Sequence, residues 1–307
     1  MNYTLDPPLQ PTAYRLDPLP RSGFVTLAGL PNAGKSTLLN RLVGEKLAIT
    51  SPKPQTTRDR IVGIRTDGDV QMVLFDTPGL LEPEHELHAR MRARSLRALI
   101  DADVIVYVAD ATRGAPAEFT ALVGEDDKRR APVVLAMNKV DRLTSVSLDT
   151  LRAAHPDALF LSAADGTGIG TLIERIAALL PEAPPLYSAD ELSTQPMRFF
   201  VAELVREVAL EQLDDEVPHA VSCVVEEYRE NRSPVYIRAT LFVERASQKR
   251  ILIGANGARI RELGTAARTR VEALAGTPVY LDLWVKVQPH WRRDPSALDR
   301  LGYRPSE

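Results

Sequence analysis

Cysteine and long apolar segments are both scarce in the sequence. Cys223 is the single cysteine among 307 residues, so no intramolecular disulfide is possible and a reducing compartment is indicated. The longest apolar runs, around residues 104–109 and 133–137, fall far short of the roughly 20 residues that span a bilayer. Residues 1–20 are rich in proline and lack the charged start and apolar middle of a signal peptide. We therefore predict a cytoplasmic protein with a disordered N-terminal tail.

A strong net charge is also lacking. The formal charge of −3 says little about partners, because opposite local charges can cancel within it. Hydrophobic residues make up 44% of the chain and charged residues 26%, a profile of soluble proteins with enough apolar material for real cores. A chain of this length suggests about two domains of roughly 100–200 residues each.

Residues 21–181 alternate between apolar, strand-like runs and segments of helical periodicity. The strand-like runs are residues 24–29, 70–75, 104–109, 133–137 and 158–161, and the helical segments are residues 35–43, 88–100 and 169–180. This alternation predicts a mostly parallel sheet with helices on both faces. Asp67-Gly68 separates the runs 61–66 and 70–75 and predicts a hairpin, so one edge strand should be antiparallel. The first domain is therefore predicted to be α/β with a mixed, mostly parallel sheet.

Residues 182–197 contain several prolines and no sustained periodicity, and we interpret them as a linker. The order of elements changes after this segment. Helical patterns cover residues 198–213, 248–253 and 258–275, and strand patterns cover residues 220–230, 235–244 and 279–287. The order α-β-β-α-α-β predicts a second, smaller α+β domain over residues 198–307, including a C-terminal tail.

A phosphate-binding loop follows the first predicted strand and opens the first predicted helix. It reads Gly29-Leu30-Pro31-Asn32-Ala33-Gly34-Lys35-Ser36, followed by Thr37. The glycines let backbone N–H groups surround phosphates, Lys35 supplies a cation for the β- and γ-phosphates, and Ser36 offers a hydroxyl to Mg²⁺. The strand and helix around this loop make a chance match to the pattern improbable.

Two further segments are predicted to surround the phosphates. Asp76-Thr77-Pro78-Gly79 ends a strand, where Asp76 would hold Mg²⁺ through water and the Gly79 N–H would sense the γ-phosphate. Residues 50–60, the switch loop, contain Thr56 and Thr57, and a threonine here can close over Mg²⁺ and release it after hydrolysis. We assign this role to Thr57, with Thr56 as the alternative.

The base-binding end is predicted at the ends of two later strands. Asn138 and Lys139 precede Asp141, whose carboxylate can accept hydrogen bonds from N1–H and N2–H of guanine. Adenine lacks this pair of donors, so an ATPase is the least favoured alternative. The Lys139 stem can pack along the base. The next strand ends at Ser162-Ala163-Ala164, where a backbone N–H can reach guanine O6.

Together these segments resemble the translation-factor class of P-loop GTPases. Many GTPases place a glutamine after the glycine that corresponds to Gly79, but Leu80 stands there in this chain. The resemblance is to a subclass with a hydrophobic residue at this position, several members of which use a monovalent cation held partly by a P-loop asparagine. It therefore implies catalytic roles for Lys35, Thr57 and Asn32, with K⁺ as a cofactor besides Mg²⁺.

The second predicted domain contains a Gly-x-x-Gly loop between two helices. Such a loop brings backbone close to nucleic acid in KH domains, and the order of elements is that of a type II KH domain. Residues 245–293 hold ten Lys or Arg against three Asp or Glu, whereas residues 199–230 hold two against nine. This asymmetry predicts one basic face. The predicted RNA-binding residues are Arg245, Lys249, Arg250, Ile253, Gly254, Ala255, Asn256, Gly257, Arg259 and Trp291.

The two tryptophans receive different predictions. Trp291 is flanked by His290, Arg292 and Arg293, so we expect it to stack on RNA bases. Trp284 lies within a predicted strand, which favours packing in the core.

The complete arrangement resembles the Era family of bacterial ribosome-assembly GTPases over nearly the whole chain. The segments that carry this resemblance besides the GTPase motifs are Leu241-Phe242-Val243-Glu244-Arg245, Ile253-Gly254-Ala255-Asn256-Gly257, Leu283-Trp284-Val285-Lys286-Val287 and Leu301-Gly302-Tyr303. The resemblance implies a GTP/GDP cycle, binding to the 3′ end of 16S rRNA, and a role in 30S subunit maturation. Association with the membrane surface would be peripheral at most, and we expect a monomer.

Two alternatives remain open from the sequence. One is a nucleotide-gated assembly factor in which hydrolysis is negligible. The other is a GTPase whose C-terminal domain binds protein or membrane rather than RNA.

Overall fold

The computed structural model describes residues 19–51, 53, 56–124, 129–214 and 216–305. The predicted tail at residues 1–20 therefore lies outside the described residues except for its last two positions, and Gln55 of the switch loop also lies outside them. None of the helices in the described ranges combines the length and apolar character needed to cross a membrane.

The first domain is built on a six-stranded sheet. In chain order its elements are β1 (Arg21–Ala28), α1 (Lys35–Val43), β2 (Ile61–Asp67), β3 (Val70–Asp76), α2 (Glu86–Ile100), β4 (Val104–Asp110), α3 (Phe119–Val123), β5 (Val133–Asn138), α4 (Ser145–Ala154), β6 (Leu159–Phe160) and α5 (Ile169–Leu179). The strand order is β2-β3-β1-β4-β5-β6. Only β2 runs antiparallel to its neighbour, so the predicted fold class is confirmed.

Burial explains why these strands form. The first six residues of β4 are all buried, which requires cover on both faces of the sheet and matches the unbroken apolar run. Helices α3 and α4 were not among the predicted elements. The first has only five residues and the second has no buried residue, so neither leaves a strong apolar period in the sequence.

The predicted linker packs along the edge of this sheet. The N–H of Ile64 in β2 donates to the carbonyl of Leu192 at 2.8 Å. The Gln71 side chain accepts from the N–H of Tyr187 at 2.9 Å and donates to its carbonyl at 2.8 Å. The Ile64 contact lies on the outer edge of β2, and the Gln71 contacts attach the linker to the neighbouring strand β3.

The second domain is built on a three-stranded sheet. In chain order its elements are α6 (Met197–Gln212), α7 (Val217–Ala220), β7 (Ser222–Arg229), β8 (Val235–Val243), α8 (Ala246–Ile253), α9 (Ala258–Ala275), β9 (Val279–Val287) and α10 (Pro295–Arg300). Strand β8 is central, antiparallel to β7 and parallel to β9. This is the predicted α-β-β-α-α-β order, with the short helices α7 and α10 added.

Candidate functional site

The phosphate-binding loop lies between β1 and α1, at the carboxyl edge of the parallel strands. Gly29 and Gly34 have φ values of 140° and 97°, which side chains rarely adopt. A Cβ at Gly29 would lie 2.3 Å from the carbonyl oxygen of Val108, and one at Gly34 would lie 2.2 Å from Nδ2 of Asn138. Both positions therefore require glycine, because the loop packs directly against β4 and against Asn138.

Lys35 is buried at the first turn of α1. Its Nζ donates to the carbonyls of Gly29 at 3.2 Å and Leu30 at 2.9 Å. Burial lowers the pKa of Lys35 from 10.5 to about 8, although the nearby Asp76 carboxylate opposes this shift. A bound phosphate would supply the negative charge that this buried ammonium group lacks.

Ser36, Thr57 and Asp76 meet beside the loop, as predicted for a magnesium site. Asp76 Oδ2 accepts from Ser36 Oγ at 2.6 Å and from Thr57 Oγ1 at 3.1 Å, and the two hydroxyl oxygens are 3.0 Å apart. Asp76 is fully buried, and this burial raises its pKa. Within the described ranges, its Oδ1 has no hydrogen-bond partner. Hydroxyl and carboxylate oxygens, one of them unpartnered, are a donor set that fits Mg²⁺.

Asn138 joins the phosphate-binding loop to the base-binding end. Its Nδ2 donates to the Ala33 carbonyl at 2.8 Å, and its Oδ1 accepts from the Ala163 N–H at 2.9 Å. Lys139 has a φ of 71°, and its Nζ donates to the Asn32 carbonyl at 2.5 Å and to Asp110 Oδ2 at 2.6 Å. Both side chains therefore fix the loops that surround the nucleotide. Asp110 was not predicted as a site residue. The only indication of it in the sequence is that a polar residue ends the apolar run of β4.

Asp141 and the segment 162–164 occupy the outer side of this end. Asp141 is exposed in a short 3-10 turn after Lys139, so its carboxylate is accessible to a base. Ser162 is buried and its N–H donates to the Thr167 carbonyl at 2.9 Å, and the Ala163 N–H is already used by Asn138. Ala164 is the remaining candidate for guanine O6.

The cavity at this site has a volume of about 500 Å³. The lining residues that were predicted are Pro31, Asn32, Gly34, Lys35, Ser36, Thr37, Thr56, Thr57, Gly79 and Lys139. Thr50 and Ser51 belong to the predicted switch loop, whereas Ile49, Arg113 and Arg142 were not predicted. The two arginines lie in short 3-10 turns, Arg113 after β4 and Arg142 directly after Asp141.

The segment after Asp76 is held by its own contacts. Thr77 Oγ1 donates to the Leu27 carbonyl at 2.9 Å, and the Pro78 carbonyl accepts from Ser95 Oγ at 2.8 Å. The Leu80 N–H donates to the Gly29 carbonyl at 3.1 Å, and the Leu80 side chain is buried in the core. Leu80 therefore supports the loop and cannot orient a water molecule.

The switch loop is also bonded to the second domain. Arg58 donates to the carbonyls of Val221 at 2.6 Å and His219 at 2.8 Å. Arg206 of α6, which is buried, donates to the carbonyl of Thr56. The residues on both sides of Thr57 are thus fixed by groups of the second domain.

Glu207 of α6 connects the switch loop to the helix that follows the Gly-x-x-Gly loop. Its side chain is fully buried. Oε1 accepts from the Thr50 N–H at 3.3 Å, and Oε2 accepts from Lys46 Nζ at 2.9 Å and from Arg270 Nη1 at 2.8 Å. Arg270 lies on α9, so one carboxylate joins the first domain to this helix.

The Gly-x-x-Gly loop lies between α8 and α9, as predicted. Gly254 and Gly257 both have positive φ values, and a Cβ at Gly254 would lie 3.0 Å from the backbone nitrogen of Arg259. Ala255 and Asn256 at the tip are exposed, as are Arg245, Arg250 and Arg259, while Lys249 is half-buried and Ile253 packs on the core. The loop therefore presents backbone and basic groups to the solvent.

A groove of about 880 Å³ runs beside this loop between α9 and β9. Ile260, Gly264, Leu281 and Leu283 supply its apolar part. Arg261 and Arg268 add positive charge along α9. A groove with apolar walls and a basic rim suits bases with their phosphates.

The predicted roles of the two tryptophans were wrong. Trp291 is 0% exposed, its Nε1 donates to the Ala220 carbonyl at 2.9 Å, and it stacks on Tyr303 with 5.8 Å between ring centroids. It cannot stack on RNA, because Arg58 lies over its ring. Trp284, expected in the core, is 55% exposed.

Comparison with known proteins agrees with this geometry. A family model described as a 50S ribosome-binding GTPase matches residues 24–139, and a KH domain model matches residues 216–292. The fold and both sites thus define a P-loop GTPase joined to a KH domain.

Curated relatives extend over almost the whole chain. The GTPase Era of Carboxydothermus hydrogenoformans is 40% identical over 291 residues, covering 92% of this chain and 98% of the relative. The GTPase Era of Lactobacillus delbrueckii subsp. bulgaricus is 42% identical over 295 residues, covering 94% and 97%. The chain belongs to the Era family of GTPases.

Two solved structures are similar to the entire two-domain arrangement. One is a variant of Aquifex aeolicus Era bound to GDP and AlF4⁻, and the other is Era in complex with MgGDPNP and nucleotides 1506–1542 of 16S ribosomal RNA. Each has a TM-score of 0.85 and 35% identity, and covers 92% of this chain and 99% of the solved chain.

Proposed function

We propose that this protein is a GTP-hydrolysing switch that binds the 3′ region of 16S rRNA and assists 16S rRNA processing and 30S subunit biogenesis. One observation carries the proposal. The switch loop joins the magnesium site through Thr57 and the KH domain through the neighbouring residues Thr56 and Arg58. A change at the nucleotide can therefore reach the RNA-binding domain through a single loop.

Ser36, Thr57 and Asp76 would hold Mg²⁺, with Asp76 acting through water. The ion, when bound, neutralises charge on the β- and γ-phosphate oxygens. Lys35 binds the same phosphates from the other side, and the N–H of Gly79 binds the γ-phosphate. Loss of the γ-phosphate removes a ligand that favours the closed position of Thr57.

In this proposal a K⁺ ion held partly by Asn32 stabilises charge that develops on the phosphates, the role that an arginine finger has in other GTPases. Leu80 occupies the position of the water-orienting glutamine and is buried, so the side chain at this position cannot orient the attacking water. The Asn32 side chain would contribute an oxygen to K⁺ beside the phosphates. Asn32 has a left-handed backbone, with a φ of 61°, and lines the cavity.

The groove between α9 and β9 would receive single-stranded RNA, with the Gly-x-x-Gly backbone against its phosphates. The rRNA sequence itself is proposed from the solved Era complex with nucleotides 1506–1542 of 16S ribosomal RNA. The local excess of basic residues over 245–293 supports RNA over a protein partner.

Paired substitutions at the exposed loop tip test this function. Replacing Ala255 and Asn256 by aspartate places two negative charges where phosphates are expected, and Asp tolerates the left-handed conformation of Asn256. Binding of a fluorescent 16S 3′-tail RNA should fall at least about tenfold, because carboxylates placed against phosphates repel them and like-charge contacts cost several kcal/mol. An Ala255→Ser control should bind normally. Equal binding by both variants would reject the RNA assignment.

GTP hydrolysis is tested in the same preparations. Lys35→Ala should abolish turnover, because the phosphates lose their buried cation, while RNA binding to the nucleotide-free protein should persist. Turnover that survives this substitution would contradict the assignment of the active site.

A further inference from the structure

The outer face of the KH sheet carries exposed aromatic side chains on its edge strand β9. Along β9, Val279, Leu281, Leu283 and Val285 contribute to the apolar cores under the helices. The alternate residues Tyr280, Asp282, Trp284 and Lys286 therefore point to the opposite face. Tyr280 is 58% exposed and Trp284 is 55% exposed, which is unusual for two large aromatic residues on one strand.

These aromatic groups are held in fixed positions. Tyr280 stacks on Tyr236 of β8, with 5.8 Å between ring centroids and 13° between planes. Asp282 lies between Tyr280 and Trp284 and accepts from Tyr236 at 3.0 Å and from Arg238 at 3.2 Å. Although partial burial opposes ionisation, hydrogen bonds from Trp284, Tyr236 and Arg238 lower the pKa of Asp282. The indole lies beside the Asp282 carboxylate, and much of its surface remains exposed.

The outer face is continuous with the groove. Strand β9 is the edge strand of the sheet. Only the thickness of this one strand therefore separates the groove from the outer face. Tyr280, Leu281 and Leu283 line the groove, while the Tyr280 ring also stacks on the outer face. An RNA strand that leaves the groove and crosses β9 would therefore contact Tyr280 or Trp284 first.

The chemistry of this surface suits a nucleic acid strand. Bases of any identity can stack on an exposed indole or phenol ring, which makes such platforms tolerant of sequence. Lys286 and Arg238 lie on the same face, paired with Glu226 at 2.9 Å and with Asp282 at 3.2 Å. Their charges are balanced locally, so the expected contribution of the face is stacking rather than salt-dependent attraction.

We propose that single-stranded RNA seated in the KH groove continues across the edge strand β9 and stacks a base on Trp284. This inference rests on the proposed RNA-binding function and adds a second contact surface to it. The groove selects and orients a short segment, and Trp284 extends the binding site to nucleotides beyond that segment.

The test compares RNAs of different length. A short RNA of about four nucleotides matches the segment clamped by one Gly-x-x-Gly loop. Longer RNAs add about four nucleotides at the 5′ side or at the 3′ side. Trp284→Ala should weaken one of the extended RNAs by at least about fivefold, the loss expected for one aromatic stacking contact. The affinity of Trp284→Ala for the short RNA should equal that of the unmodified protein. Trp284→Phe, which keeps an aromatic ring, should retain most of the affinity for the extended RNA.

Tryptophan fluorescence gives a direct readout of the contact. The chain has two tryptophans, of which Trp291 is fully buried, so quenching by added acrylamide reports mainly on Trp284. The extended RNA should protect this signal from acrylamide and the short RNA should not. In the Trp284→Ala variant, RNA should leave the residual signal unchanged.

The outcomes separate this inference from the proposed function. Suppose that replacing Ala255 and Asn256 by aspartate abolishes RNA binding but Trp284→Ala changes the affinity for none of the RNAs. RNA then uses the groove but not the stacking surface. Equal losses for short and extended RNAs would also overturn the inference, because they would indicate a general defect in the domain. If no RNA binds the unmodified protein, the proposed function fails together with it.

Discussion

The guanidinium carbon of Arg58 lies 5.5 Å from the centre of the Trp291 ring and so fixes the switch loop to the KH domain. Both side chains are buried at this contact. The neighbouring Thr57 bonds to Asp76 at the metal site. Two adjacent residues of one loop therefore belong to two different sites, and any movement of Thr57 must strain or break the contacts of Arg58.

Arg58→Ala should weaken the link between nucleotide and RNA. The substitution removes the donor to the carbonyls of Val221 and His219. We expect the ratio of RNA affinities with a GTP analogue and with GDP to fall toward one. Arg60→Ala is a matched control, because Arg60 lies over Phe75 within the first domain, 4.3 Å from its ring centre. A normal ratio in Arg58→Ala, or an equal loss in both variants, would contradict this role.

Trp291→Ala should destabilise the protein rather than affect RNA contacts. A fully buried aromatic side chain with a hydrogen bond to Ala220 is removed, so the free energy of unfolding should fall by about 3–5 kcal/mol. Trp291→Phe keeps most of the volume and should cost less. Urea unfolding measures both. Unchanged stability combined with weaker RNA binding would instead support the stacking role that the sequence suggested.

Asn32→Gly should remove the stimulation of GTP hydrolysis by K⁺. Glycine accommodates the positive φ of 61° at this position, so only the side chain is lost. Turnover in K⁺ should drop to the rate seen in Na⁺, while the rate in Na⁺ should stay the same. If the unmodified protein turns over GTP equally fast in K⁺ and Na⁺, the proposed K⁺ role is wrong.

GDP binding should take up protons near pH 8. The pKa of Lys35 in the nucleotide-free protein is about 8, because burial disfavours its charge, and phosphates should raise it. Binding between about pH 8 and pH 10 should therefore include proton uptake, and affinity should decline as pH rises through this window. Calorimetry in buffers of different ionisation enthalpy measures the uptake. EDTA in all solutions keeps metal binding out of the measurement.

A Lys35→Met variant is the control for the proton measurement. It retains a buried chain of similar shape but has no group that titrates. Its GDP binding should be weaker and should show no proton uptake in this window. Uptake that is the same in both proteins would assign the proton to another group.

The sequence predicted those parts of the molecule in which neighbouring residues perform one task. The phosphate-binding loop, the pair Ser36 and Asp76, and the Gly-x-x-Gly loop follow from local patterns, because each lies at the junction of a strand or helix with a loop. The mostly parallel sheet with one antiparallel edge strand also followed from the alternation of strands and helices and from Asp67-Gly68, whereas the order of the strands was not predicted.

Contacts between distant residues were not predictable in the same way. Glu207 contacts Thr50 and Arg270, which are far from it in sequence, and nothing in the α6 pattern distinguishes this glutamate from its solvated neighbours. Trp291 follows the last strand among charged residues, and its burial depends on Arg58 and Tyr303. The exposure of Trp284, by contrast, was available from the alternation of β9, in which Leu283 and Val285 both face inward.

The most direct test of the account is the affinity of the 16S 3′-tail RNA for the full chain with two nucleotides. Fluorescence anisotropy would compare protein loaded with Mg²⁺ and a non-hydrolysable GTP analogue against protein loaded with Mg²⁺ and GDP. The account predicts clearly tighter RNA binding with the GTP analogue, and a smaller difference in Glu207→Gln, which weakens the connection to Arg270. Equal RNA affinity in the two nucleotide states of the unmodified protein would contradict it.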